Sequence, residues 1–293
     1  MKVLLLGDQG QIGSNLKILL EKKKNLDLIT WNKLNINFKK INEIEKKILK
    51  IKPDIIINAI AFTNVNLSIK NKKEIMLVNY QAVKKLCLVA KKINSYFIHY
   101  STDYVFDGKK KSFKELDVTN PLNFYGKSKA MADNFILKSM KNFLILRVSW
   151  VYSYKKNNFI MKMLSQYTSN KKNIINVVND EYGTPNSSLF ISKLTIKLIN
   201  IIKKKNISGV YNISTKGLIS RYDLAKFLLE NMNKKYIKNN NLNSVKTNLK
   251  EKIFRPKFSN LKVNKVEKLI NTKCPHWTDD VKYFLKNLNY DCI

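Results

Sequence analysis

Cysteine is scarce in this 293-residue chain: Cys87, Cys274 and Cys292 are the only three, and there are only two histidines. None of them falls into a CxxC or Cys/His spacing, which excludes a disulfide framework and a zinc site and fits a reducing cytoplasm. Long apolar runs are missing too. The first one, Val3-Leu4-Leu5-Leu6, stops at Gly7 and is too short for a signal peptide or a membrane span. Acidic residues number 21, too few to suggest a carboxylate-rich metal site, so no metal is expected. Glycine is also rare, with eight in all, so the three between positions 7 and 13 carry information.

Positive charge is abundant and of one kind. Lysine and arginine total 55, the net charge is +34, and only Arg147, Arg221 and Arg255 are arginines. A nucleic-acid binder is one reading of that charge. Against it, the lysines run along the whole chain without forming a basic arm, and Lys, Asn and Ile, all with A/T-rich codons, are used heavily everywhere. Codon composition explains the charge more simply, and no nucleic-acid partner is expected, although the field would attract an anionic substrate. Where lysine supplies nearly all the charge, an arginine marks a place that needs a planar, forked cation. Arg147 at the end of an apolar strand and Arg255 before Pro256 are therefore candidates for structural or substrate ion pairs.

An apolar fraction of 44% supplies an ordinary globular core. Short apolar runs at residues 2–6, Asp27–Trp31, Asp54–Asn58, Tyr96–Tyr100 and Phe143–Val148 read as buried strands. Helical patterns separate them, through Ile12, Leu16, Leu19 and Leu20, over Ile41–Ile51 up to Pro53, and over Ile75–Ile93. Strand and helix alternate, which predicts an α/β fold: a doubly wound, parallel Rossmann sheet with helices on both faces. After residue 150 the alternation loosens. Ile174–Val178 and Val210–Ile213 look like strands with a helix over Leu189–Ile202 between them, and Lys234–Lys250, rich in Asn and Lys, reads as a loop. We expect residues 1–150, with segments returning near 186–213, to form an NAD(P)-binding domain, and 151–293 mainly a smaller C-terminal substrate-binding lobe.

The motif Gly7-x-x-Gly10-Gln11-Ile12-Gly13 follows the first strand and opens the first helix. Its first glycine permits the tight turn, the second lets backbone approach a pyrophosphate, and the third lets helix pack on sheet. The helix N-terminus then faces the phosphates. GxxGxxG spacing points to the short-chain reductase branch. After the second strand, where a carboxylate would hold an adenosine 2′-hydroxyl, stand Asn32 and Lys33; Lys33 could accept a 2′-phosphate, leaning toward NADPH over NADH.

Tyr-x-x-x-Lys occurs five times, at Tyr80, Tyr125, Tyr152, Tyr167 and Tyr222, when roughly two or three are expected by chance. Only Tyr125 and Lys129 follow a strand-end hydroxyl segment, Ser101-Thr102-Asp103, at the crevice where open α/β sheets bind ligands. Positions i and i+4 share a helix face, so Lys129 lies over Tyr125. A free phenol titrates near pH ~10, a neighbouring ammonium lowers that toward useful acid–base chemistry, and the same Lys129 can hydrogen-bond the nicotinamide ribose, which places Tyr125 and Lys129 at the cofactor as well. Thr102 can hold a substrate carbonyl beside Tyr125. His99, on the preceding strand, is read as packing and not as a base.

These residues, together with Lys52-Pro53-Asp54-Ile55-Ile56-Ile57-Asn58-Ala59, Ile98–Phe106, Pro121-Leu122-Asn123-x-Tyr125-Gly126-x-x-Lys129, Arg147-x-Ser149-Trp150-Val151-Tyr152, Asn157-Asn158-Phe159, Asn179-Asp180-x-x-Gly183-x-Pro185 and Arg255-Pro256-x-x-Ser259, run nearly end to end. As a series the chain resembles the dTDP-4-dehydrorhamnose reductases, extended short-chain dehydrogenase/reductases. The resemblance implies NAD(P)H-dependent reduction of the 4-keto group of dTDP-4-dehydrorhamnose to dTDP-L-rhamnose, a step in the supply of rhamnose for lipopolysaccharide and O-antigen. Hydride would pass from the nicotinamide to C4 while Tyr125 protonates the alkoxide, Thr102 orients the carbonyl and Lys129 tunes Tyr125. It also implies that Ala59, Ala61, Thr63 and Asn79 lie near the cofactor, and that Asp103, Val105, Phe106, Trp150, Asn157, Asn158 and Arg255 lie near the sugar. The expected partner is the nucleotide sugar, with no membrane; a homodimer is compatible with this picture.

Two departures stand out. The loop after the third strand usually reads Thr-x-Val-Asp-x-Ala-Glu in the family, and here reads Thr63-Asn64-Val65-Asn66-Leu67-Ser68-Ile69, without either acid. Asn35 stands where an Asp is common. The alternatives left open are another nucleotide-sugar 4-keto reductase and a non-catalytic cofactor-binding subunit like the regulatory β subunit of methionine adenosyltransferase.

Overall fold

The computed structural model describes every residue except 33, 38–39, 156–157 and 249–253. Five of its strands are the five predicted apolar runs: β1 (Lys2–Leu6), β2 (Asp27–Trp31), β3 (Ile55–Asn58), β4 (Tyr96–Thr102) and β5 (Phe143–Val148). A sixth, Gly209–Asn212, returns from late in the chain to pair with β5, and the sheet order is Gly209–Asn212, β5, β4, β3, β1, β2. Every pairing in this sheet is parallel. The strands lack alternation because both faces are covered. Val3, Leu5, Ile57 and Ile98 pack into one core layer with Leu16 and Ile199, while Leu4, Leu6, Ile56 and Phe97 pack into the other with Val83 and Ile136.

Helices α1 (Gln11–Glu21) and α2 (Ile41–Ile51) connect the first three strands. α2 ends where Lys52 takes a left-handed conformation (φ 46°) just before Pro53. The predicted helix over 75–93 is composite: α3 (Lys72–Met76), a π-helical turn (Leu77–Gln81) and α4 (Ala82–Lys92). Next come α5 (Phe124–Ser139), α6 (Phe159–Tyr167), α7 (Ser188–Ile202) and α8 (Arg221–Asn231). α9 (Asn264–Ile270) and α10 (Trp277–Lys286) were not anticipated. The Asn/Lys-rich segment read as a loop also needs correction. Within it, Leu242–Val245 pairs in parallel with Ile175–Val178, because Leu242 and Val245 are half-buried against that partner while Asn243 and Ser244 stay exposed; positions 249–250 of that segment lie outside the described residues. A separate core forms around Tyr152, Leu164, Tyr167, Leu228, Trp277 and Phe284.

Candidate active site

The turn after β1 is built for close approach. Gly7 has φ 87°, and a Cβ there would lie 2.7 Å from Ile60 and 3.1 Å from the Ala59 carbonyl. A Cβ on Gly13 would lie 2.0 Å from the Gly7 carbonyl oxygen, so α1 can sit this low over β1 only with glycine at that position. The helix starts at Gly10 without a side-chain cap and with no acid in its first turn, leaving its N-terminal N–H groups and dipole for an anion. Gln11 accepts a hydrogen bond from Ser153 Oγ at 3.2 Å, tying the turn to the chain after β5. These features fit the diphosphate of a nicotinamide dinucleotide. At the end of β2, Asn32 Oδ1 accepts from the Leu34 N–H at 2.8 Å and so shapes its own turn; Lys33 lies outside the described residues.

Ala59, Ala61 and Thr63 follow β3. Asn79, in the π-helical turn, holds this segment in place. Its Oδ1 accepts from the Phe62 N–H at 2.7 Å, and its Nδ2 donates to the Phe62 carbonyl and to Ser128 Oγ, each at 3.1 Å. With its amide used in this way, Asn79 braces the Ala61–Thr63 backbone against α5.

Tyr125, Lys129 and Asp133 form an i, i+4, i+8 stripe on the buried face of α5. Asn123 caps the helix, accepting from the Gly126 N–H at 2.9 Å. A Cβ on Gly126 would lie 2.1 Å from the Tyr104 carbonyl oxygen, so glycine sets how closely α5 rides on the segment after β4. The Tyr125 phenol is buried beside the Thr102 hydroxyl. Burial raises its pKa above the ordinary phenol value, the Thr102 hydroxyl works the other way, and Asp103 and Tyr104 add to the rise. Thr102 Oγ1 donates to Asp103 Oδ1 at 2.9 Å and accepts from the Tyr104 N–H at 3.2 Å. Asp103 is itself buried, and that raises its pKa.

Lys129 corrects a simpler expectation. It does lie on the helix face of Tyr125, but its ammonium position is turned into the sheet, with Nζ 2.7 Å from the Tyr100 carbonyl and 3.0 Å from His99 Nε2. It makes no hydrogen bond to the Tyr125 hydroxyl. Burial lowers its pKa from 10.5 to about 8, with Asp133 opposing. Below it, Asp133 Oδ2 accepts from Ser101 Oγ at 2.8 Å and pairs with Arg147 Nε at 3.3 Å, and all three residues are buried. Arg147 is thus a structural ion pair beneath the site.

A second wall comes from later in the chain. Trp150 takes a left-handed backbone conformation (φ 41°), and its indole lies so close to Gly183 that a Cβ there would sit 2.2 Å from the ring. The Arg221 guanidinium stacks 3.7 Å from the centre of the same indole. Glu181 lies between two arginines, 3.8 Å from Arg221 and 3.7 Å from Arg255. Arg255 also donates to Asn66 Oδ1 at 2.7 Å, an acceptor that carries no charge. A cavity of about 170 Å³ opens beside Trp150, Asn158, Phe159, Pro185 and Arg221. A larger cleft, about 440 Å³, lies among the C-terminal helices around Tyr236 and Tyr290 and shares no residue with this site.

Val105 and Phe106 are both fully buried in a small core with Phe113, Ala130 and Leu261. Asn158 lines the cavity beside Trp150 and also caps α6, accepting from the Met161 N–H and donating to the Ser153 and Lys155 carbonyls, while Asn157 lies outside the described residues. Arg221 was missed as a site residue; the only signal was its being one of three arginines in a lysine-rich chain. Among the described residues, no three His, Cys, Asp or Glu side chains cluster as a metal site would require, and no helix is long and apolar enough to cross a membrane.

A parallel six-stranded sheet, a glycine turn under the first helix and a Tyr/Lys pair on the helix over β4 define the class: a Rossmann fold of the extended short-chain dehydrogenase/reductase type. Residues 1–290 match the family model described as the RmlD substrate binding domain, and the chain belongs to that family. It is 31% identical to the dTDP-4-dehydrorhamnose reductase of Escherichia coli K12 over 295 residues, covering 98% of each chain. It is 28% identical to the spore coat polysaccharide biosynthesis protein SpsK of Bacillus subtilis, covering 99% of each. Among solved structures, a dTDP-4-dehydrorhamnose reductase from Clostridium acetobutylicum superposes with a TM-score of 0.88 at 27% identity, covering 98% of this chain and 99% of that one. The Bacillus anthracis enzyme in complex with NADP gives 0.85 at 25% identity, covering 98% of each.

Proposed function

We propose that this protein is a dTDP-4-dehydrorhamnose reductase that uses NADPH to make dTDP-L-rhamnose. The observation that carries the reading is the buried Tyr125 phenol beside Thr102 at the carboxyl end of β4, on a chain whose full-length relatives bear that name. The nicotinamide, when bound, supplies the hydride. Gly7, Gly10, Gln11, Ile12 and Gly13 form the diphosphate turn, with Asn32, Ala59, Ala61 and Thr63 along the rest of the cofactor path. NADPH is favoured because a relative has been solved with NADP.

In this reading the Thr102 hydroxyl turns from Asp103 to donate to the C4 carbonyl and fixes its position. Tyr125, kept protonated by burial, gives its proton to the oxygen as negative charge develops there. Trp150 offers an apolar face to the sugar, while Arg221 and Arg255 offer forked cations to the substrate's diphosphate. Glu181 and Asn66 hold those arginines in place before substrate arrives. The segments from residue 150 onward that supply Trp150, Arg221 and Arg255 belong to the substrate-binding lobe.

The test is to follow NADPH oxidation with enzymatically generated dTDP-4-dehydrorhamnose and identify the product sugar. Turnover yielding dTDP-L-rhamnose is expected, and Tyr125→Phe should lower kcat by roughly 10²–10⁴-fold. Wild-type protein that binds NADPH without turning over this substrate would overturn the reading.

A further inference from the structure

Lysines run along the whole sequence, but the fold does not spread them evenly. In a doubly wound parallel sheet each connecting helix ends beside the start of the next strand, at the edge away from Thr102 and the glycine turn. That edge is level. Adjacent strands start within one residue of each other in register, from Lys2 opposite Asp27 at one side to Leu144 opposite Gly209 at the other. Six strands make a front roughly 24 Å wide, before the helix ends on either face are added.

The five residues before each of β2, β3, β4, β5 and Gly209–Asn212 hold eleven lysines and one acid, Asp54. The five residues after the same strands hold two lysines and two acids. One chain with one codon composition supplies both edges, so composition does not produce the asymmetry. Helix dipoles do not require it either. A single cation in the last turn answers a dipole, and most of these lysines lie past the helix's last residue. All eleven are exposed, and among the described residues only Lys92 is in an ion pair, with Glu45 at 3.9 Å.

The two richest clusters meet. Helices α1 and α7 pack side by side, joined by the Asn15–Ser188 and Ser192–Ile12 hydrogen bonds. Their ends bring Lys22, Lys23 and Lys24 up to Lys203, Lys204 and Lys205. Between them lies a crevice of about 220 Å³, with Leu20, Leu26, Ile196 and Ile199 inside and Lys23, Lys24 and Lys203 exposed at its mouth. Apolar walls ringed by ammonium groups suit a molecule that is anionic at one end and hydrocarbon at the other.

We propose that this edge is a docking surface for an anionic phospholipid bilayer, which the protein meets peripherally. A bilayer fits the edge better than a nucleic acid does. The residues counted before those strands include no arginine and no aromatic side chain, the groups that grip and stack on bases. Lysines act as point charges, and a polybasic surface is drawn to anionic headgroups without any specific contact. Leu26, Ile51, Ile93 and Ile207 stand half-buried among them and offer apolar groups to the headgroup region. Docking here leaves the opposite edge, with Thr102 and the glycine turn, open to water. The proposal uses no step of the reaction, so it stands apart from the reductase reading.

Co-sedimentation of the full chain with vesicles tests it, at about 0.15 M salt, where distant charges are screened. Vesicles of equimolar phosphatidylglycerol and phosphatidylcholine should carry the protein down, and vesicles of phosphatidylcholine alone should not. The triple variant Lys22→Gln, Lys23→Gln, Lys24→Gln should bind about a hundredfold more weakly, as three lysines at a membrane surface imply. Its Tm should stay at the wild-type value, because all three side chains are exposed. Changing Lys203, Lys204 and Lys205 to Gln gives a second, independent variant with the same expected loss. Changing Lys234, Lys235 and Lys286, exposed in the C-terminal part of the chain, removes equal charge elsewhere and should leave binding within about twofold. Equal losses in all three variants would mean that only the net charge of +34 is at work, and that overturns the proposal. Absence of the protein from the anionic vesicle pellet overturns it too. So does tighter binding, compared per phosphate, to a duplex DNA oligonucleotide that is lost in the same edge variants, since that identifies nucleic acid as the partner.

Discussion

Replacing Gly183 by alanine tests how the second wall of the site is assembled. The new methyl would lie 2.2 Å from Trp150 Cε2 and 2.6 Å from Cδ2 and Nε1, all well short of the 3.4 Å at which ordinary contact begins. The indole has little freedom to yield. Its backbone is already in the left-handed region at φ 41°, its carbonyl accepts from the Asn186 N–H at 3.2 Å, and the Arg221 guanidinium lies 3.7 Å from its ring centre. Overpacking of this kind costs about 1–3 kcal/mol, and losing the cation–π stack adds about 0.5–2 kcal/mol. For a chain of this size the sum lowers Tm by roughly 3–15 °C. Arg221 is tied to Glu181 by its side chain and by its own N–H, so a displaced indole leaves the arginine without its platform. The KM for the nucleotide sugar should therefore rise by about tenfold, the equivalent of ~1.4 kcal/mol, while NADPH affinity stays at the wild-type value. Thermal melts and steady-state kinetics with each substrate varied separately provide the readout. A Gly183→Ala protein with wild-type Tm and wild-type sugar KM would refute the packing of Trp150 on Gly183.

Gly13→Ala places a methyl 2.0 Å from the Gly7 carbonyl and lifts α1 off β1, so NADPH affinity should fall by about tenfold or more, measured by cofactor fluorescence, with the far-UV circular dichroism retained. Arg147→Met leaves Asp133 buried without its cation and should cost about 3–5 kcal/mol in urea unfolding, whereas adding Asp133→Leu should recover part of that loss. Lys129 supplies a pH prediction whose sign follows from its lowered pKa. Below about 8 the folded protein must bury an ammonium that the unfolded chain keeps in water, so this group destabilises fully there; the cost fades from about 8 to 10.5 and is gone above. Lys129→Met should thus be more stable than wild type at neutral pH, with the difference in Tm shrinking across that window, and a pH-independent difference would refute the burial argument.

Much of this molecule was legible in its sequence because the signals are local. The five early apolar runs lack alternation, as strands covered on both faces do, and they form β1 to β5. Gly7, Gly10 and Gly13 stood out because glycine is rare here, and the turn needs glycine for steric reasons that act within a few residues. Tyr125 and Lys129 share a helix face simply by being four apart. The Leu242–Val245 strand was hidden because the segment around it is rich in Asn and Lys, and its partner lies some 67 positions earlier. Val105 and Phe106 sit inside a motif the resemblance assigns to substrate, yet Phe113, Ala130 and Leu261 draw them into a core.

The amino-acid sequence alone determined the doubly wound sheet, the glycine turn and the shared helix face of Tyr125 and Lys129, because each depends on backbone sterics or helix periodicity over short spans. The tertiary structure decided what those side chains are bonded to. Lys129 meets His99 and Tyr100 because β4 passes beneath α5, and His99 meets Asn58 because β3 and β4 are in that register. Arg221 reaches Trp150 across 71 positions of chain. Contacts of this kind come from how distant segments pack, and protonation follows the contacts, so the chemistry of a lysine that the sequence placed correctly was settled only when the sheet closed beneath it.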